Sequence, residues 1–463
     1  MSKSNIHVDN FNDDQNKAIN KLADFVKSDK PSITLSGAAG TGKTYLLNYF
    51  LNKVFLAESC ISAPTHKAVR IVEKATHKKG MTLHSLHGLR PNTDIANFNI
   101  SNPQFDPLAE PKINNYRLLA IDEASQINKG INKLNVDRAK LYDVKIVYIG
   151  DEYQLPPVKE RISSVFTDNE VIRLNKIMRQ EEDNTLLPLF VILRNDIMTN
   201  RSNFLHALKN NPMGINSKNH GYIVLDESNF YMLMERKFRE EPSTRFLGWK
   251  KATVAEENYN IRNMINEDIN ILNVNDVVTG YNTIHDDFNE EVIVNSVDYT
   301  IQSIENITND YDFNVYLVTF VSEFGEVSTP IEVINHRHKS FNNYVNILNQ
   351  LHSLAYSASF GSRKQRWAEY YTFKKKIISM VDIPLSHSKY DISKDISYAY
   401  GLTIHKSQGS TYKNVFIDIK DLLYYTNGNQ VRNSGFNPYA VEFRNKLLYV
   451  AFSRASNIVF IKA

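Results

Sequence analysis

Residues 37–44 of this chain are the ones best equipped for chemistry: Gly37, Ala38, Ala39, Gly40, Thr41, Gly42, Lys43 and Thr44 spell G-x-x-x-x-G-K-T. A loop of such small residues lets backbone N–H groups close on phosphate oxygens. Lys43 would reach the β- and γ-phosphates of a nucleoside triphosphate, and the Thr44 hydroxyl would ligate Mg²⁺. A second group, Asp122 and Glu123, ends the apolar strand RLLAID (117–122). In such a pair the first acid holds Mg²⁺ through water and the second polarises the attacking water. GDEYQLPPV (150–158) follows another apolar strand, so Asp151 and Gln154 can sense a γ-phosphate there, although read alone the stretch is a turn with two prolines.

These groups need elements to hold them. SITLS (32–36) suits a buried strand, and residues 43–55 put Leu46, Leu47, Phe50, Leu51, Val54 and Phe55 on one helical face. The glycine loop therefore lies between a strand and a helix N-terminus, where the backbone and helix dipole favour an anion. From 32 to about 175, short apolar strands (SITLS, CISAP, RLLAID, KIVYIGD) alternate with helical stretches, as in a parallel α/β sheet. Residues 88–113 interrupt this with Pro91, Pro103, Pro107 and Pro111 and read as an inserted hairpin or loop. Residues 276–335 alternate with a period near two, which predicts a small antiparallel barrel. A helical segment follows, and the α/β pattern returns with NVFIDI (414–419) and NIVFIKA (457–463).

A length of 463 residues implies about two to four domains. With 42% apolar and 23% charged residues the composition is that of a globular protein. No apolar run approaches the ~20 residues that span a bilayer, so no membrane partner is expected. Residues 1–15 lack the apolar core of a secretory signal, and Cys60 is the only cysteine, which excludes disulfides and Cys-based metal clusters. A reducing, cytoplasmic location is the expectation. The net charge of +3 does not by itself argue for nucleic acid, but its distribution is uneven. Between His336 and Lys376 stand eight Lys/Arg against the single acid Glu369, interleaved with eight aromatics. That mixture suits either a single-stranded nucleic-acid surface or a helical pair with a buried aromatic seam and a solvated basic face.

In order, the chain carries FNDDQ (11–15), GAAGTGKT (37–44), APTHKAV (63–69), TLHSLHG (82–88), IDEAS (121–125), GDEYQLPPV (150–158), LNKIMRQ (174–180), LTIHKSQGST (402–411) and LLYVAFSRA (447–455). This series resembles the helicase motifs of superfamily 1 over nearly the full length. The forms IDEAS and GD-x-x-QLPPV resemble the RecD/Dda-like 1B branch, and the layout of insertions is most similar to phage Dda-type helicases.

The resemblance implies an α/β fold of two RecA-like parallel-sheet lobes in tandem. The first lobe would span 1–88 and 113–182, with a small pin insertion at 89–112. The second would span 183–283 and 396–463, with an SH3-like β-barrel plus helical insertion at 284–395. ATP and Mg²⁺ are the implied cofactors. Gln15 would read the adenine edge, with an ordinary N-terminal helix residue as the alternative. Gln154 would couple the γ-phosphate to its motif, Arg179 and Arg454 would be arginine fingers, and Gln408, Gly409 and Ser410 would face nucleotide and nucleic acid together. Pro64, Thr65, His66, Lys67, Thr82 and His84 match strand-contacting positions of the first lobe; Thr403, His405 and Lys406 match those of the second. Phe105 in the pin is either a base-stacking residue at a fork or a hairpin-packing phenylalanine. The implied activity is an ATP-dependent DNA helicase, monomeric, moving 5′→3′ on single-stranded DNA and opening forks, in a bacterium or phage-infected host, with replication or recombination proteins as possible partners. An RNA helicase of the same branch and a nucleotide-regulated binding module without unwinding are the alternatives. A small-molecule kinase would not need the motifs at 402–455.

Overall fold

Strand Ser32–Gly37 is buried along its whole length, because helices cover both faces of the sheet it belongs to. Lys145–Gly150 and Val171–Leu174 flank it, and the sheet continues through Leu118–Ile121 and Ser59–Ala63 to Gly80–Thr82, six strands all paired in parallel. Leu22, Leu46, Leu47 and Phe50 pack on one face against Ile33 and Leu35. Leu119, Ile121 and Tyr148 pack on the other. The helix after the glycine loop runs from Lys43 to Tyr49 and then widens into a π turn, Phe50–Val54. The chain, a computed structural model, is described over residues 6–95, 98, 103–176, 184–266, 271–286, 290–385, 394–423 and 439–463.

A second six-stranded sheet has the order Gly401–Thr403, Thr244–Gly248, Tyr412–Asp418, Ala455–Lys462, Gly221–Leu225, Met213–Ile215. All pairs are parallel except the last. Helices Leu186–Thr199 and Ala440–Phe452 cover one face around a core of Leu193, Leu447, Val459 and Ile417. The fold is therefore mixed α/β with a RecA-like parallel-sheet core.

The third sheet runs Ile377–Ile378, Ile331–Ile334, Asn314–Ser322, Asp298–Thr308, Val277–Gly280, Ile396–Tyr398, mostly antiparallel. Its two ends meet: backbone N–H groups of Asp395 and Ile396 donate to Ser379 O at 2.8 and 3.3 Å. The sheet thus closes around Val278, Ile301, Val318, Phe320 and Val333. The boundaries anticipated at 283/284 and 395/396 differ from this arrangement, because Val277–Gly280 and Ile396–Tyr398 pair within the closed sheet and not with the second lobe. Motif order marks where an insertion begins only to within a strand.

Helices Ser340–Ser357 and Arg363–Lys376 pack beside this sheet. Tyr344, Trp367 and Tyr370 are almost wholly buried between them, so these aromatics form a core seam. Lys374 is buried too, in an ion pair with Asp395. Within the insertion of the first lobe, Leu89–Pro91 pairs antiparallel with Phe105–Pro107. Phe98 leaves that hairpin and packs edge-on against Trp367, 5.0 Å between centroids, while Arg363 Nη1 donates to Asp94 O at 3.0 Å. Among the described residues no helix is long and apolar enough to cross a membrane.

Candidate functional site

Three neighbouring strands of the first sheet end at the same edge and deliver the glycine loop, Asp122–Glu123 and Gly150–Asp151. In a parallel sheet this carboxyl edge is where ligands are held. Gly40 and Gly42 adopt φ of 80° and 81°, which a side chain would strain. At Gly42 a Cβ would also come within 2.4 Å of Gln15 Nε2. Gln15 is buried; its Oε1 accepts from Asn12 N at 3.1 Å, completing a capping box, and its Nε2 donates to Thr41 O at 3.3 Å. Both ends of the amide are therefore engaged, and Gln15 ties the first helix to the glycine loop. Lys43 folds back on the loop and donates to Gly37 O and Ala38 O at 2.7 and 2.9 Å.

The second lobe closes this edge into a cleft of about 330 Å³, lined among others by Ala39, Lys43, Thr44, Asp122, Glu123 and Gln154 from the first lobe and Gly409, Ser410 and Arg454 from the second. Gln408 Nε2 lies 3.5 Å from Gln154 Oε1 across the lobes. Gly409 has φ +80°, and a Cβ there would stand 3.2 Å from Glu123 Oε1. The guanidinium of Arg454 is buried, donating to Val450 O, Ser410 O and Ser453 Oγ at 3.2, 3.2 and 2.9 Å. Arg179 lies outside the described residues.

Burial sets the charges of this cleft. It pushes the Glu123 carboxyl up to about 7, with Asp122 adding repulsion and Arg454 and Lys43 opposing. It also raises Asp122 and Asp151, each partly offset by Lys43. Lys43 and Arg454 are held below their ordinary values by the same loss of water, although the acids pull both up. A buried acid near neutrality is matched to accepting a proton from water. The Thr44 hydroxyl and Asp122 carboxylate share the cleft and are both hard oxygen donors, a pair that fits Mg²⁺.

The expected strand contacts are placed less uniformly. Thr65 and Thr82 cap helices, accepting from Ala68 N at 3.2 Å and Ser85 N at 3.3 Å. Pro64, just before Thr65, is half-buried. His66 Nδ1 stands 3.4 Å from Glu291 Oε1 of the third sheet. Lys67, expected on an open strand face, is instead buried in the cleft and paired with Glu323 at 2.7 Å. The reason is helical: it lies beside Ala68 and Ile71 on the inward side of His66–Thr76. Burial lowers its pKa, but Asp298, Tyr412 and Glu323 outweigh this and hold it charged. Glu323 Oε1 also accepts from Asp298 N at 3.1 Å, and Asp298 Oδ2 accepts from Arg245 of the second lobe at 3.2 Å. One ion chain, buried except at Glu323, thus runs from the first lobe through the third sheet to the second. Thr403 Oγ1 accepts from Lys406 N at 3.4 Å, and His405 is exposed. The Lys406 ammonium sits 3.1 Å from the centroid of Tyr281, and burial, then Lys394, pushes it down to about 7. His84 carries the ring of Phe105, which is 41% exposed.

Residues 10–207 match the family model described as an AAA domain. The uncharacterized protein R530 of Acanthamoeba polyphaga mimivirus is 25% identical over 92% of this chain and 96% of its own length. The ATP-dependent DNA helicase dda of Enterobacteria phage T4 is 29% identical over 33% of this chain, a match that spans 34% of the phage protein. Among solved structures, Pif1 helicase from Bacteroides in complex with ADP-AlF3 and ssDNA superimposes with a TM-score of 0.50 at 18% identity, covering 96% of this chain and 91% of that one. The matches to the Dda and Pif1 helicases extend over 33% and 30% of this chain.

Two residues in or beside the cleft were not singled out by sequence reasoning. Glu323 lies in a hairpin of the third sheet and carries no local signal. Tyr449 stands inside LLYVAFSRA, whose arginine drew the attention; its hydroxyl donates to Asp151 Oδ2 at 2.8 Å.

Proposed function

We propose that the chain is an ATP-dependent DNA helicase that moves 5′→3′ along single-stranded DNA as a monomer and opens forks. The observation that carries this reading is one buried cleft lined by Lys43 of the first lobe and Arg454 of the second, with Glu123 beside them. The loop amides and Lys43 hold the triphosphate, and Lys43 exchanges its two loop carbonyls for phosphate oxygens. Thr44 and Asp122 would hold Mg²⁺, which would supply positive charge to offset that of the phosphates. Glu123 takes a proton from the attacking water and Arg454 stabilises the charge spread over the transferred group. Because the two sides of the site belong to different lobes, each turnover changes how tightly the lobes are drawn together, and alternate grip on a strand becomes stepping. Contacts of the Thr65, Thr82 and His405 type go to phosphates, so little sequence preference and steep salt dependence follow. DNA as the polymer is supported by the names of the relatives, and the direction by resemblance to the 1B branch.

The test measures ATP hydrolysis with and without single-stranded DNA, then strand displacement on duplexes bearing only a 5′ or only a 3′ tail. Hydrolysis indifferent to DNA ends the helicase reading; unwinding from 3′ tails alone ends the 1B reading.

A further inference from the structure

Asp151 and Tyr449 come from different lobes and are each 1% exposed. The Tyr449 hydroxyl donates to Asp151 Oδ2 at 2.8 Å, while Oδ1 accepts from Tyr153 N at 3.1 Å and Asp151 O accepts from Gln154 N at 3.1 Å. Asp151 therefore organises the turn that carries Gln154, and among the described residues its one side-chain donor is on the opposite lobe. The Tyr449 ring is fixed by edge contacts with Tyr153 and Phe190, 6.2 and 6.0 Å between centroids. Arg194 of the second lobe lies over both Tyr153 and Tyr449, at 5.8 and 5.6 Å, and its Nε and Nη2 have no hydrogen-bond partner. That guanidinium lies over the ring that carries the phenol and so stands beside the carboxylate–phenol pair.

Tyr449 sits in the last turns of Ala440–Phe452, the helix whose end delivers Arg454. Arg454 is strapped to that end by Arg454 N to Ala451 O at 3.3 Å and Nε to Val450 O at 3.2 Å. The path from Asp151 to the arginine is thus one hydrogen bond and a single turn of rigid helix. On the other side, Asp151 acts on Lys43 through space, and both line the nucleotide cleft. When Lys43 turns to phosphate, the Asp151 charge loses part of its compensation and the Tyr449 hydroxyl has more charge to hold. Hydrogen bonds to ionised acceptors strengthen accordingly.

We propose that Tyr449 is a positioning residue: its hydrogen bond to Asp151 sets where the second lobe presents Arg454 to a bound nucleotide and couples phosphate occupancy to closure of the lobes. This rests on the ATP-hydrolysing reading above. Tyr449→Phe removes the hydroxyl and keeps the ring. The kcat of single-strand-stimulated ATP hydrolysis should fall about tenfold, as for loss of one charge-assisted hydrogen bond, with KM for ATP within about twofold and a thermal midpoint that is lowered but stays well above the assay temperature. Asp151→Asn should lower kcat as well, and the double variant should be no slower than Asp151→Asn alone. A Tyr449→Phe protein with unaltered kcat overturns the proposal. So do losses that multiply in the double variant, or a fall in kcat that only tracks a lowered midpoint. Absence of ATP hydrolysis in the unaltered protein counts against the ATPase reading itself, a different result from unaltered turnover in Tyr449→Phe.

Discussion

The ring of Phe105 rests on the imidazole of His84, 4.7 Å between centroids and tilted by 49°. One face of an aromatic at the loop end of the hairpin's ladder is thereby backed by a residue of the motif expected to touch the strand, and the ring remains 41% exposed. A base stacked on such a supported ring gains ~1–3 kcal/mol. Phe105→Ala should therefore reduce strand displacement far more than DNA-stimulated ATP hydrolysis. Equal loss of both rates, or of neither, would remove Phe105 from duplex separation.

Lys43→Ala and Glu123→Gln should both abolish turnover, for different reasons. The first removes the cation that exchanges loop carbonyls for phosphates. The second keeps the side-chain volume and removes the base. Fluorescent-nucleotide titration should show weakened binding for Lys43→Ala and near-normal binding for Glu123→Gln.

Because burial, then Asp122, raises Glu123 to about 7, its basic form is lost as pH falls through neutrality. The pH profile of kcat/KM for ATP, which reports the free protein, should drop on the acid side with a midpoint near 7. Stability should move the other way. A carboxyl raised above its ordinary 4.5 favours the folded state most at low pH, and that contribution is lost as pH rises through about 7. Thermal melts at pH 5 and 8 should therefore show the unaltered protein losing more midpoint than Glu123→Gln. An equal loss in both proteins sinks the assignment.

Phe98 is 3% exposed and packs on Trp367 of the helical pair. Phe98→Ala should cost ~3 kcal/mol of that docking and loosen the hairpin from its support. Trp367 emission should shift to the red and unwinding should fall, with basal ATP hydrolysis preserved.

Glu323→Gln leaves Lys67 buried with its charge poorly matched. Because Glu323 is 33% exposed, a loss of about 2 kcal/mol is expected, below the ~3–5 kcal/mol of a fully buried pair. Urea unfolding at low and high salt measures it, and the difference between the two proteins should narrow as salt rises.

How far the sequence could be read depended on whether a signal was local. The strand–loop–helix around Lys43 and the acids after Leu118–Ile121 declare themselves, because continuous apolar runs and glycines dictate a buried parallel strand and a tight turn. The aromatic seam of Tyr344, Trp367 and Tyr370 was one of two readings, since helical spacing is the same whether a ring meets a neighbour or a ligand. The ends of the third sheet were not legible, because closure at Ser379 joins residues far apart in sequence. Nor was Lys67: its motif context suggested a strand contact, while the helix turned it toward Glu323. The Asp151–Tyr449 bond joins two recognisable motifs, yet no spacing along the chain announces it.

The ion chain from Lys67 through Glu323 and Asp298 to Arg245 has a consequence for motion. Both acids belong to one closed sheet, so that sheet is a third leaf on the hinge between the lobes. A change in the angle between the lobes larger than a side chain can span has to part either Lys67 from Glu323 or Arg245 from Asp298. Whichever pair yields decides which lobe the helical pair travels with, and Phe98 ties the first-lobe hairpin to that pair.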